Sequence, residues 1–271
     1  MTNEQLTAQA KKIRFEAVRM VYEGKDGHPG PALSIADIVA YLFYEEMNLD
    51  PQKPSWEERD RFILSKGHSC PILYAALSEK GYFGEPVKHF NLRALGSMFQ
   101  GHPVMNKTPG VDMTSGSLGN GIAIGAGMAI AAKHKGLKSR VNVIVGDGEL
   151  QEGIIWEGVN LATARKLDNL VVVVDKNNWQ SGGTVTDIIG SNNISDRFGA
   201  FGWNTVEISA HNFDQIRSAF KAARAEAGRP TAIVATAVKG KGLDFMEDDN
   251  NWHKGVPTDV QYKCACEQIG C

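Results

Sequence analysis

The chain has 271 residues, room for one large domain or two small ones at roughly 100–200 residues each. Its 42% hydrophobic and 22% charged residues are those of a globular protein with a full core, which excludes intrinsic disorder. The 29 Lys and Arg against 31 Asp and Glu give a net charge of −2, so there is no basic excess to neutralise nucleic acid, and no Lys/Arg cluster for an anionic membrane.

Gln5 to Glu23 reads as a helix, with Leu6, Ile13, Ala17 and Met20/Val21 at a helical period and Gly24 as its stop. This start lacks the apolar core of a signal peptide, which points to a cytosolic protein. The glycines and prolines of Gly24 to Leu33 make a loop, and Ser34 reads as the N-cap of a helix from Ile35 to Glu46. A short strand in Asp60 to Ser69 feeds a Gly-His turn, followed by a helix from about Pro71 to Lys80. A further Gly-His turn lies at Gly101-His102. The apolar run Leu118 to Ala132, broken by glycines, is short of the about 20 residues of a membrane span and reads as a buried helix from Ser117 to near Lys133.

Strands follow at Val141 to Gly146 and Leu170 to Asp175, with a helix from Gln151 to Arg165 between them. Two more, Asn204 to Ile208 and Thr231 to Ala237, flank a helix from Asn212 to Glu226, and the tail from Thr258 reads as a last helix. Continuous Val and Ile runs mark strands buried on both faces, and strands separated by helices imply right-handed crossovers. The expectation is one domain over 1–271, an α/β fold with a doubly wound parallel sheet and helices on both faces. Cys264, Cys266 and Cys271 crowd the C-terminus, but no histidine follows. With Cys70 they read as reduced thiols.

Ligands of open α/β sheets bind beyond the carboxyl ends of the strands. Two strand ends here are polar: Gly146-Asp147-Gly148-Glu149 and Asp175-Lys176-Asn177-Asn178. One strand–helix–strand unit separates Asp147 from Asn177, which puts a carboxylate and an amide oxygen side by side. Such hard oxygen ligands suit Mg²⁺ or Ca²⁺, with phosphate oxygens completing the shell. The glycines allow backbone N–H groups to approach a diphosphate.

With these residues in view, the sequence resembles the thiamine-diphosphate enzymes, and within them the transketolases. The motifs are Gly27 to Gly30 (GHPG), Lys66 to His68 (KGH), Gly101 to Pro103 (GHP), Thr114 to Gly121 (TSGSLGNG), Gly146 to Gly153 (GDGELQEG) and Trp252 to Pro257 (WHKGVP). The resemblance implies thiamine diphosphate with Mg²⁺ or Ca²⁺ held by the side chains of Asp147 and Asn177 and the carbonyl of Trp179. It places His68 and His253 on the diphosphate with the backbone of Gly116, Leu118 and Gly148. His28 and His102, with His253, become the catalytic imidazoles. Glu152 and Glu157 are expected as buried acids beside the cofactor at the contact with a partner. His89, His134 and His211 carry no such context, and Lys239-Gly-Lys241-Gly reads either as a solvated loop, the favoured reading, or as a flexible basic turn near phosphate.

The motifs belong to the first domain of a full-length transketolase, and nothing after Gly255 resembles the second. The implied protein is therefore the N-terminal subunit of a split transketolase, paired as α2β2 with a C-terminal subunit carrying the pyrimidine-binding domain. It would transfer a two-carbon ketol unit between sugar phosphates. The α subunit of a 2-oxo-acid dehydrogenase, a deoxyxylulose-phosphate synthase fragment and a non-catalytic binding subunit are the alternatives. A nicotinamide site is disfavoured, because Ile124 stands where the third glycine after Gly119 and Gly121 belongs.

Overall fold

The computed structural model describes residues 1–190 and 193–270. Cys271, one of the terminal thiols, lies outside them. Helix α1 (Asn3–Gly24) opens with a capping box between Thr2 and Gln5 and buries Leu6, Ala10, Ile13, Ala17 and Val21. Its left-handed cap is Lys25, not Gly24. Gly24 serves instead for close approach, since a Cβ there would stand 3.0 Å from Leu92 Cβ.

Helices α2 (Pro29–Leu33) and α3 (Ala36–Tyr41) follow, the latter widening into a π turn over Leu42–Glu46. Ser34, expected as an N-cap, caps nothing in that way. Its hydroxyl donates to Asp175 Oδ2 at 2.6 Å, so the buried carboxylate takes the group that a helix end would have used. Next come β1 (Arg61–Leu64) and α4 (Cys70–Lys80). Helix α5 (Asn120–His134) starts later than its apolar pattern, because Gly119 at φ 86° breaks the helix before Asn120. Strand β2 (Val141–Gly146) leads through a 3-10 turn, Gly148–Gln151, to α6 (Gly153–Ala164).

Strand β3 (Leu170–Lys176) precedes a small hairpin, β4 (Trp179–Gln180) and β5 (Gly183–Thr184), and two short helices, α7 (Val185–Ile189) and α8 (Ile194–Ala200). The chain continues through β6 (Asn204–Ser209), α9 (Phe213–Ala225), β7 (Thr231–Thr236) and α10 (Asp259–Ile269). The hairpin and the helices α2, α7 and α8 have too few residues to show a period in the sequence.

The main sheet has the order β1-β2-β3-β7-β6, with every neighbour parallel. The valines of β3 divide between two cores. Val171 and Val173 pack with α1, α3, α4 and α9, while Val172 and Val174 pack with α5 and α6 on the other face. Helices thus cover both faces, as expected of a strand with no polar alternation. Burial of each such side chain contributes about 1.5–3 kcal/mol. In register, Gly146 lies opposite Asp175, so the polar ends of β2 and β3 open at the same edge.

Candidate active site

Asp147 turns the chain at the end of β2 and is 1% exposed. Its Oδ1 accepts from the Gly148 amide at 2.8 Å and its Oδ2 from the Asn178 amide at 2.6 Å. Beyond β3, Asn177 Oδ1 accepts from the Trp179 amide at 2.9 Å, and its Nδ2 donates to Asp175 Oδ2 at 2.7 Å. Asp175 is fully buried and takes the Lys66 ammonium at 2.5 Å. Its Oδ1 is buried without a partner. Burial, and then the neighbouring Asp175, push the Asp147 carboxyl up to about 7. A dry carboxyl so placed, next to an amide oxygen, is stabilised as its anion by a cation.

Opposite these oxygens stand three imidazoles. The ring centroids of His28, His68 and His253 lie 5.2 Å, 5.3 Å and 5.7 Å apart. Burial first, and then nearby cations, lower all three: His28 and His253 to about 4, and His68 further still. They are therefore neutral at neutral pH, each ring holding one donor and one acceptor. His28 Nδ1 is buried and has no partner. Lys239 Nζ lies 2.9 Å from His253 Nδ1 and donates to Asn250 Oδ1 at 2.8 Å. Burial, and then Lys66, lower Lys239 to about 8.

One cleft of about 400 Å³ gathers most of the anticipated residues: His28, His68, His253, Gly116, Leu118, Asp147, Gly148, Asn177, Trp179 and Glu152. Its floor is built for close approach. Gly116 holds φ at 132°, and a Cβ on Gly148 would stand 2.9 Å from Gln180 Cβ. His102 is exposed and stands outside the cleft lining, against Gly116, where a Cβ would be 3.1 Å from its Cγ.

The expected cover of Glu152 and Glu157 is a second chain, so on this chain alone they stand open. Glu152 and Glu157 are both exposed on this chain, and Glu157 on α6 does not line the cleft. The buried acid is Glu149, which accepts from the amides of Gly119 at 2.7 Å and Gly146 at 3.0 Å and from the Ser65 hydroxyl. It is the residue that ties the α5 turn to the end of β2. Of the two readings of Lys239-Gly-Lys241-Gly, the solvated loop does not hold for Lys239, which is 0% exposed. Lys66 and Asp175 were given no site role from the sequence. Both stand in segments that the sequence marks, Lys66 in Lys-Gly-His and Asp175 at the polar end of a valine run, but their pairing joins segments 109 positions apart.

Buried charge here comprises the carboxyls of Asp147, Glu149 and Asp175 against the ammoniums of Lys66 and Lys239. No group of three His, Cys, Asp or Glu side chains fit to hold a metal occurs among the described residues. The oxygen set therefore suits a hard cation whose shell is completed by phosphate or water. The unpartnered Asp175 and His28 atoms, the glycine floor and the neutral imidazole donors fit a metal diphosphate.

Residues 5–261 match the family model described as transketolase, thiamine diphosphate binding domain. The chain belongs to the transketolase family. It is 36% identical over 269 residues to a subunit of the apulose-4-phosphate transketolase of Phocaeicola vulgatus, covering 99% of this chain and 95% of that one. It is 39% identical over 265 residues to 6-deoxy-6-sulfo-D-fructose transketolase subunit SqwG of a Clostridium species, covering 97% and 96%. The crystal structure of transketolase from Campylobacter jejuni superposes with a TM-score of 0.93 at 33% identity, over 100% of this chain and 43% of that one. The chain thus spans under half of a long transketolase but nearly all of the two relatives named as single subunits. Transketolases are transferases, and the 2-oxo-acid dehydrogenase and synthase alternatives are not favoured. Among the described residues no helix is long and apolar enough to cross a membrane.

Proposed function

We propose that this chain, one domain over 1–271, is the diphosphate- and metal-binding subunit of a two-chain transketolase. The carrying observation is the cleft itself, where three neutral imidazoles face Asp147 and Asn177 across a glycine floor. In this reading the side chains of Asp147 and Asn177 and the carbonyl of Trp179 hold Mg²⁺ or Ca²⁺. His68 and His253, with the backbone of Gly116, Leu118 and Gly148, hold the diphosphate of thiamine diphosphate. When bound, that cofactor supplies the carbanion-stabilising chemistry needed to break and form a carbon–carbon bond.

The chain's own residues bind, orient and move protons. The neutral rings of His28, His102 and His253 have donors and acceptors ready for the hydroxyl and carbonyl oxygens of a sugar. Half-burial of His28 and His253 restricts competing water. Glu152 and Glu157, left exposed here, lie ready for the partner, which would supply the pyrimidine-binding domain in an α2β2 assembly. Support for a partner comes from the near-complete match to relatives that are each named as one subunit of a transketolase. The named substrates of those relatives, an apulose phosphate and a sulfo-fructose, support a sugar carrying an anionic end, and the reading takes the reaction to be cytosolic.

Titration calorimetry of thiamine diphosphate into the assembled enzyme tests the reading. Binding that requires Mg²⁺ or Ca²⁺ in the wild type and is lost in Asp147→Ala supports it. Equal affinity in the two proteins contradicts it.

A further inference from the structure

We propose that the edge of the sheet opposite the cofactor cleft carries a second binding site, one for a small phosphorylated polyol. Arg140 and the amides of Lys138 and Ser139 take the phosphate, and the carboxylates of Glu46 and Glu58 take the hydroxyls. The site stands whether or not the chain transfers ketol units.

A cavity of about 600 Å³ opens at the amino ends of β1 and β2. Its walls include Asp60 and Arg140, each one residue before its strand, Glu46 and Asn48 from the segment after α3, and Lys138 and Ser139 from the turn between α5 and β2. It shares no lining residue with the cofactor cleft. Asp147 lies at the other end of β2, about 20 Å along the strand.

Most of the acid in this cavity is already engaged. Asp60 Oδ1 accepts from the Arg140 amide at 2.7 Å and its Oδ2 from the Asn48 amide at 2.8 Å. Glu46 ends the π turn, a distortion often found at functional sites, in which the Met47 amide donates to the Leu42 carbonyl at 2.9 Å. The Glu46 side chain is only 4% exposed, and its Oε2 accepts from the Tyr41 hydroxyl at 3.1 Å and from Arg224.

Arg140 is the charge left over. Its Nη2 donates to the Ala223 carbonyl at 3.0 Å, and it forms no ion pair among the described residues. Burial lowers this half-buried guanidinium, and the attraction of Glu46 and Asp60 does not offset burial. The amides of Lys138 and Ser139 make no hydrogen bond among the described residues. A planar guanidinium with spare donors, beside two free amides in succession, is suited to a tetrahedral oxyanion. Lys138, exposed on the rim, adds positive charge.

The free acceptors decide the rest of the ligand. They are Glu46 Oε1 and the carboxylate of Glu58, which has no partner among the described residues. Both repel a second anionic end. An ammonium has three donors to satisfy, and Arg224 on Glu46 repels it. Hydroxyls need one acceptor each, so a polyol tail fits.

The test is NMR of the ¹⁵N-labelled full chain, titrated with inorganic phosphate, glycerol 3-phosphate and phosphoethanolamine. The Lys138 and Ser139 amides report this site, and the Gly148 amide reports the cofactor cleft. Both rim amides should shift saturably, with glycerol 3-phosphate at least about three-fold tighter than inorganic phosphate, as one added hydrogen bond gives. Arg140→Met should weaken the rim response at least about ten-fold, the loss of a charge-assisted hydrogen bond, and leave the Gly148 response unchanged. Lys138→Glu, on an exposed turn that folding does not depend on, should weaken it about three-fold. No saturable shift at the rim amides, or an unchanged Kd in both variants, overturns the site. Inorganic phosphate as tight as glycerol 3-phosphate, or phosphoethanolamine tighter than it, overturns the polyol.

Discussion

The buried ammonium of Lys239 lies 2.9 Å from Nδ1 of His253. An ammonium carries only donors, so Nδ1 is the lone-pair nitrogen and the ring proton is on Nε2. Lys239 thereby fixes the tautomer that offers an N–H toward an anion. Lys239→Met should raise the Kd for thiamine diphosphate by tens-fold, from a lost charged hydrogen bond of about 1.5–3 kcal/mol. Stability should change little, since an apolar chain replaces a buried cation. Calorimetry and urea unfolding check the two parts, and a large stability loss with unchanged affinity would refute the assignment.

Lys66 and Asp175 form the most buried ion pair of the site, at 2.5 Å with side chains 3% and 0% exposed. Removing one partner strands the other charge in the interior. Lys66→Met should cost about 3–5 kcal/mol, and Lys66→Met with Asp175→Asn should recover part of that loss. Urea denaturation of the single and double variants measures the recovery. A double variant as unstable as the sum of the two singles would show that the pair is not coupled.

Asp37 links α3 to the strand ends. Burial opposes its charge, but Arg14 at 2.5 Å and His211 at 2.8 Å outweigh burial and hold its carboxyl below the ordinary 3.8. A carboxylate depressed in the folded state adds stability that is complete above its unfolded value and lost as pH falls through the folded one. The stability gap between wild type and Asp37→Asn should therefore be flat from about pH 7 to 5 and close below about pH 4. Acid unfolding followed by circular dichroism checks this, and a gap that widens below pH 4 would contradict it.

His28→Ala and His102→Ala should lower turnover far more than cofactor affinity, because their rings are assigned to the sugar and not to the diphosphate. His68→Ala should do the reverse. Steady-state kinetics beside calorimetry separates the two patterns. Normal turnover with poor cofactor retention in His28→Ala would exchange the roles.

Much of the site was legible because its motifs keep metal, diphosphate and substrate groups at strand ends, and the apolar runs of β2 and β3 fix those ends. Asp147 and Asn177 follow from that placement alone. What was not legible depends on contacts between distant segments. His211 looked ordinary, yet its Nδ1 meets Asp37 at 2.8 Å and its Nε2 accepts from the Val238 amide at 3.0 Å, which anchors the segment carrying Lys239. Ser34 had every local mark of an N-cap, and a buried carboxylate 141 positions away claimed its hydroxyl. The burial of Glu149 was hidden in the same way, since its carboxylate is held by Ser65 and the Gly119 amide, 84 and 30 positions away.

The central claim is that this chain holds half of an active site and needs a second subunit to use it. The direct test is ketol transfer from a ketose phosphate, assayed with thiamine diphosphate and Mg²⁺, for the purified chain alone, the partner alone and the mixture. The account predicts no turnover from either chain alone and turnover on mixing that saturates at equal molar amounts. Full turnover from this polypeptide by itself would contradict it, because every group required for the reaction would then lie within these 271 residues.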